Sequence, residues 1–141
     1  MKENKLAELS MDLAINTVKL CEKIKGHYSL TNQLERSVTS IGANIREANY
    51  ASSRADFISK LHISLKECYE TEFWFELFLK SELATNEEIK ELYNQCGTIR
   101  RLLVASINTA KEKWSKSWRI CEVSYGYEVA LLWSMPDGIR I

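Results

Sequence analysis

The sequence contains very few residues that break helices. Its 141 residues include one proline, Pro136, and five glycines. A β-rich fold needs a turn about every ten residues, and such turns usually draw on glycine and proline. The composition is otherwise that of an ordinary globular domain, with 45% hydrophobic and 27% charged residues. These counts therefore favour long helices in a single domain.

Several other signals are also missing. Nineteen basic residues balance nineteen acidic ones, so the chain as a whole is not polybasic. No stretch approaches the roughly 18 apolar residues of a membrane span, and the residues that follow the initial methionine, 2–5, are polar, unlike a secretory signal. The four cysteines form no close pair of the kind that zinc and redox motifs use. We therefore expect a cytoplasmic protein with reduced cysteines that does not enter a membrane.

The chain has no recognisable catalytic or metal-binding motif. Di-iron bundles use Glu-x-x-His on facing helices, and this spacing does not occur. A Gly-x-Ser-x-Gly turn and a glycine-rich phosphate loop are missing as well. The sequence therefore predicts no catalytic residue, no metal and no cofactor.

Four segments have the apolar spacing of amphipathic helices. The first covers about 4–25, the second about 31–50, the third ends near Ser81 and the fourth near Lys113. The motifs at 53–56 and 85–88 resemble capping boxes that start the third and fourth helices. Long apolar stripes joined by short loops predict an all-α fold, an antiparallel up-down four-helix bundle over residues 1–113.

Residues 114–141 form an aromatic C-terminal tail without a helical period. Three tryptophans and two tyrosines lie between its turn residues. We expect a short, non-helical segment that pairs as a hairpin, docks on the bundle or is disordered. Docking is favoured because an exposed aromatic tail promotes aggregation.

The third helix is predicted to carry a carboxylate on its inward side. The register 58, 61, 65, 68, 72, 75 and 79 includes Glu72, which would need a partner to offset its lost hydration. We expect a buried polar cluster that links Ser40 and Asn44 of the second helix to Glu70 or Glu72. A device that fixes helix register is the favoured interpretation. A ligand-binding or catalytic role for these carboxylates is the alternative.

The aromatic block at 73–79 is the strongest sign of self-association. At 100° per residue its apolar side chains cover about 240° of the helix, more than one bundle core can bury. Trp74 and Phe78, with Phe73 as a third residue, are therefore predicted to meet another subunit, the tail or a partner.

The charges are balanced overall but segregated along the chain. Residues 36–66 and 100–113 are mainly basic, and residues 67–91 are mainly acidic. A patch of several cations would bind a phosphate backbone in a salt-dependent way, whereas solvated helix faces and subunit salt bridges are the simpler explanation. The candidate nucleic-acid contacts are Arg36, Arg46, Arg54, Lys60, Arg100 and Arg101.

Three runs of residues resemble a known family. The second helix carries QLERSVTSIGANIREA at 33–48, and the third carries ADFISK at 55–60 and LKECYETEFW at 65–74. These runs resemble the bacterial 23S ribosomal RNA intervening-sequence proteins, a four-helix-bundle family similar to the accessory variability determinant of diversity-generating retroelements. The resemblance covers about residues 5–113, and the tail has no counterpart in it.

The resemblance implies a homo-oligomer, typically a pentameric ring. For the retroelement relatives it also implies binding to nucleic acid and to a reverse transcriptase through basic surface. We therefore expect a non-enzymatic assembly or accessory protein whose partners are copies of itself and RNA, DNA or a nucleic-acid-processing protein. The alternative is an enzyme or ligand-binding bundle that uses Glu70 and Glu72 with Asn44.

Overall fold

Four α-helices make up the part of the chain that the structure describes. The structure is a computed structural model that describes the backbone of residues 5–125 and the side chains of residues 5–113. The helices are α1 (Lys5–Lys23), α2 (Tyr28–Ala48), α3 (Arg54–Lys80) and α4 (Asn86–Tyr125). Within these residues there is no strand. The predicted all-α, antiparallel bundle is confirmed.

The helices begin where the sequence provides caps. The Ser53 side chain accepts a hydrogen bond from the Asp56 backbone N–H at 3.1 Å. At the start of α4, the Glu88 N–H donates to Thr85 Oγ1, and the Thr85 N–H donates to Glu88 Oε2 at 3.1 Å. The capping box at Thr85 is therefore complete, whereas at Ser53 the Asp56 carboxylate accepts instead from the Ser52 N–H at 3.0 Å. Both arrangements satisfy backbone donors that have no partner inside the helix.

The end of α3 is closed by a left-handed residue. Glu82 has a φ of 57°. This left-handed conformation is strained for a residue with a side chain, whereas glycine adopts it easily. The Leu83 N–H donates to the Phe78 carbonyl at 2.9 Å and the Glu82 N–H to the Leu79 carbonyl at 3.1 Å. This is a Schellman motif, which turns the chain sharply into α4.

The helices occupy the four corners of a square. Neighbouring pairs are α1 with α2, α2 with α3, α3 with α4, and α1 with α4. Across the described residues the diagonal pairs do not pack against each other, so α1 and α3 lie at opposite corners. The core between them is built from leucine, isoleucine, valine and phenylalanine side chains together with Cys21, Cys68 and Cys96.

The buried side of α3 is rotated toward α2 relative to the predicted register. Ser64, Thr71 and Phe78 are fully buried, whereas Leu65 and Leu79 of the predicted stripe are only partly buried. The two hydroxyl residues face α2 and form hydrogen bonds with it, which removes the cost of burying them. Phe78 follows them at the same seven-residue spacing.

α4 is longer than predicted. It continues to Tyr125, twelve residues beyond the predicted end at Lys113, so the prediction of a non-helical tail from residue 114 is wrong for residues 114–125. The physical reason is that no glycine or proline interrupts this stretch before Gly126. The rest of the tail, with its alternatives of hairpin, docking or disorder, lies outside the described residues.

Candidate functional site

Glu72 forms an ion pair with Arg100 on the neighbouring helix. Arg100 Nε donates to Glu72 Oε1 at 2.8 Å, and the guanidinium carbon lies 5.5 Å from the centre of the Tyr69 ring. The Glu72 side chain is almost buried, and that of Arg100 is about one-third exposed. The hydrogen bond to Glu72 raises the pKa of Arg100 above its usual value. The pair therefore joins α3 to α4, and the charge of Arg100 balances that of the Glu72 carboxylate.

The four residues of the predicted polar cluster do not come together. Asn44 Nδ2 donates to the backbone carbonyl of Ser40 at 2.9 Å, within α2 itself. Glu70 is exposed and accepts a hydrogen bond from Trp74 Nε1 at 3.3 Å. The predicted link from Ser40 and Asn44 to Glu70 or Glu72 is corrected, because Glu70 and Glu72 lie on different sides of α3 and each has a different partner.

The buried polar contacts between α2 and α3 are made by hydroxyl groups instead. Thr71 Oγ1 donates to Ser37 Oγ at 2.9 Å, and Ser64 Oγ donates to the Ile41 carbonyl at 3.0 Å. Because each of these hydroxyls has its partner inside the bundle, the contacts can fix the helix register but leave no polar group to receive a ligand. Only the pairing of small polar residues across α2 and α3 could have indicated them in the sequence.

The aromatic block of α3 is divided between core and surface. Phe78 has 0% exposure within a single chain, so its predicted place between protomers is corrected. Phe73 is 58% exposed, and its ring meets the Trp74 ring edge-on at a centroid distance of 5.1 Å. Trp74 is partly buried against the core, and Tyr69 one turn earlier is also exposed. Phe73, Trp74 and Tyr69 form what we call the α3 outer patch.

The six candidate basic residues differ in whether their charge is already paired with a carboxylate. Lys60 pairs with Glu47, and Arg100 pairs with Glu72. Arg101 Nη2 donates to Thr98 on the same helix at 3.1 Å and stays exposed. Arg36, Arg46 and Arg54 are exposed. Arg46 lies in the last turn of α2 and Arg54 is the first residue of α3, so these two lie close to the α2–α3 connection.

A groove at one end of the bundle was not predicted. It has a volume of about 770 Å³ and lies between the α2–α3 connection and α4. We call it the end groove; its lining includes Arg54, Phe57, Leu102, Ala105, Thr109 and Lys113. No local motif could have indicated it, because its lining comes from the α2–α3 connection and from α4, which are distant in sequence.

The described part of the chain has no metal site and no membrane span. Among these side chains, no three His, Cys, Asp or Glu residues come together as potential metal ligands. None of these helices combines the length and apolar character that crossing a bilayer requires. Cys21, Cys68 and Cys96 are buried and unpaired with one another, and burial together with Glu35 raises the pKa of Cys21 to about 12.

The comparisons with known proteins agree with the helical bundle. The family model of the 23S rRNA-intervening sequence protein matches residues 2–105. The chain belongs to the family of 23S rRNA-intervening sequence proteins. As the family is of unknown function, membership by itself assigns no site residue.

A solved structure supports the same assignment for this intervening-sequence protein. It is the crystal structure of a protein with unknown function from the S23 ribosomal protein family of Bacteroides thetaiotaomicron, 42% identical in sequence, with a TM-score of 0.69. The match covers 72% of this chain and 97% of that one. No curated protein matches. The family model itself stops at residue 105.

Proposed function

We propose that this intervening-sequence protein is a non-catalytic, cytoplasmic homo-oligomer, a pentameric ring of four-helix bundles. In this proposal the ring is an assembly or accessory factor for nucleic acid or for a protein that processes it. The observation that carries self-association is the α3 outer patch. A soluble chain rarely leaves a phenylalanine more than half exposed beside a tryptophan and a tyrosine unless the surface meets a partner. The three buried, unpaired cysteines suit a reducing compartment.

The square arrangement of helices suits a ring. A closed ring needs two different complementary surfaces on each subunit, since each copy contacts the next in the same head-to-tail sense. The α3 outer patch would be one of these surfaces. On α1, at the opposite corner, Met11 and Ile15 lie one turn apart and are also exposed. Two apolar surfaces on opposite sides of one bundle favour head-to-tail contact over a two-fold dimer.

The exposed arginines support the nucleic-acid part of the proposal. Arg46 and Arg54 lie near the same connection, and Lys113 lines the end groove beside Arg54. Lys60 and Arg100 are already paired with carboxylates. The three cations near this end of the bundle would instead be able to bind phosphates. A ring would repeat this basic end in every subunit.

The alternative of an enzyme or ligand-binding bundle has no supporting geometry. It needs Glu70, Glu72 and Asn44 around one space. Instead, Glu70 contacts Trp74 on the outside of α3, Glu72 contacts Arg100, and Asn44 contacts its own helix.

Self-association is tested by light scattering on the eluting protein with Phe73→Glu. The unaltered chain should have five times the 16.3 kDa mass of one subunit. Phe73→Glu should have the mass of one subunit, because a carboxylate cannot be buried unpaired in an apolar contact. Tyr50→Glu is the control, since Tyr50 is 89% exposed outside the patch and should leave the assembly intact. A monomeric parent chain, or a Phe73→Glu variant that stays assembled, would refute this interface.

Nucleic-acid binding is tested by filter binding of a structured RNA between 50 and 200 mM salt. Over this range three phosphate contacts lose about 40-fold in affinity, and six to ten contacts, as several subunits of a ring would make, lose about 10³-fold or more. The variant Arg46→Gln/Arg54→Gln should bind more weakly and with a shallower salt dependence, by about 0.7 to 0.9 in slope for each lost phosphate contact. Lys19→Gln/Lys90→Gln removes the same charge from exposed positions elsewhere and should bind nearly as the parent does. Equal losses in both variants would mean that the basic end has no special role.

A further inference from the structure

The end groove lies at the end of the bundle where the described part of α1 stops. α1 and α4 are antiparallel, and two contacts give their alignment: Lys23 with Glu88, and Asn16 with Gln95. Lys5, the first residue of α1, precedes Asn16 by eleven residues. In an antiparallel pair it therefore lies level with Ser106, which follows Gln95 by eleven residues. Beyond that level no described residue of α1 lies beside α4, although α4 continues for nineteen residues, about 28 Å. The α4 part of the groove, from Leu102 to Lys113, lies on both sides of this level.

We propose that residues 126–141 of the same chain fold back along α4 and fill the end groove. These residues include an apolar run, Val129–Trp133, followed by Met135. The lining that they would contact is largely apolar or small, with Phe57, Leu102 and Ala105 among it. Burial of such a run in such a groove is favourable by the usual hydrophobic effect.

The length of the segment fits the distance. α4 ends at Tyr125, and Thr109 lies sixteen residues earlier on that helix, about 24 Å away. Leu132 follows Tyr125 by seven residues, and an extended chain rises about 3.3 Å per residue, or about 23 Å for seven. Gly126 immediately after the helix supplies a residue that can adopt the reversing turn. A returning strand therefore brings Leu132 level with Thr109.

The four residues before α1 are a poorer occupant, because three of them, Lys2, Glu3 and Asn4, are polar.

Disulfide trapping in the full-length chain tests the proposal. In a Cys121→Ser background, Thr109→Cys with Leu132→Cys should form a bond under mild oxidation at least about tenfold faster than Asn108→Cys with Leu132→Cys. Asn108 is exposed and points about 100° away from Thr109 around α4, and it does not line the groove. Mixing isotope-labelled and unlabelled chains before oxidation shows by mass whether the bond joins one chain or two.

A bond within one chain at the faster rate supports the proposal. Equal rates for the two pairs would overturn it, as expected if residues 1–4 or a solvent-filled groove were the true state. A bond between labelled and unlabelled chains would also overturn it, because the tail of a second copy would then be the occupant.

Limited chymotrypsin digestion gives a second measurement that does not depend on engineered cysteines. Ala105→Arg places a long cationic side chain at an exposed groove position and should increase the rate of cleavage within residues 126–141 about tenfold. Val104→Arg is the control, since Val104 is also exposed but lies outside the groove. Equal cleavage rates in both variants and the parent would overturn the proposal, provided that circular dichroism shows both variants folded.

Discussion

The two sides of α3 use the same kinds of residue for different purposes. Phe75 and Phe78 have no exposed surface, whereas Phe73 is more than half exposed, and all three lie within six consecutive residues. The carboxylates repeat this contrast, because Glu72 is buried and paired with Arg100 while Glu70 is exposed. The difference shows that position around the helix decides which of these side chains holds the fold and which is left for contact with a partner.

The largest expected effect compares Phe78→Ala with Phe73→Ala. Phe78→Ala should lower the free energy of unfolding by about 3–5 kcal/mol, because it leaves a cavity in the core. Phe73→Ala should lower it mainly at protein concentrations where the subunits assemble, since stability then includes association. Chemical denaturation at several protein concentrations measures both. A similar, concentration-independent loss in the two variants would mean that the two sides of α3 are not distinct.

The fold itself could be predicted because local signals agree with one another. The stripes of α1, α2 and α4, the caps at Ser53 and Thr85, and the scarcity of proline and glycine all specify the same bundle. The side chains of Ser53 and Thr85 bond within three residues of themselves, so their contacts depend on local sequence alone. Only the end of α4 was misplaced, because the aromatic residues after Lys113 do not follow a clear helical period.

The candidate site was harder to predict because it depends on which helix lies beside which. Hydrophobicity favours Leu65 and Leu79 as buried positions of α3, yet Ser64 and Phe78 are buried more completely. Ser64 donates a hydrogen bond to the Ile41 carbonyl of α2, and Phe78 lies two seven-residue repeats later on the same side of α3. The pattern of a single helix contains no information about such a neighbour. The end groove was missed for a similar reason, since its lining combines the α2–α3 connection with α4, two segments distant in sequence.

A smaller effect is expected from the two carboxylates of α3. Glu72→Gln should lower the free energy of unfolding by about 1–1.5 kcal/mol, because the amide oxygen leaves a neutral hydrogen bond to Arg100 where the carboxylate made a charge-assisted one at a nearly buried site. Glu70→Gln should change the free energy of unfolding by less than about 0.5 kcal/mol, because the side chain is exposed and its amide oxygen can still accept the hydrogen bond from Trp74. A double-mutant cycle with Arg100→Met would isolate the coupling to Glu72. Equal losses at positions 70 and 72 would contradict their assignment to different sides.

The smallest expected effect concerns Glu67, a half-buried residue at the boundary between the two sides. Burial, and then the nearby Glu70, raise the pKa of Glu67 above its usual value of 4.5, while Arg36 lowers it. A raised folded-state pKa means that the folded chain holds the proton more tightly than the unfolded chain does. The stability from this group is therefore complete below about pH 4.5 and is lost as the pH rises through the folded pKa.

NMR titration of the Glu67 carboxyl carbon separates these causes. Glu70→Gln should lower the pKa of Glu67 but leave it above the usual value, because burial is the larger cause. Arg36→Gln should shift it in the opposite direction, which makes the two variants controls for each other. Since the outer side of α3 is proposed to meet a second subunit, assembly would bury Glu67 further and raise its pKa again. A pKa that is the same in the parent and in the monomeric Phe73→Glu variant would place the subunit contact away from this edge of α3.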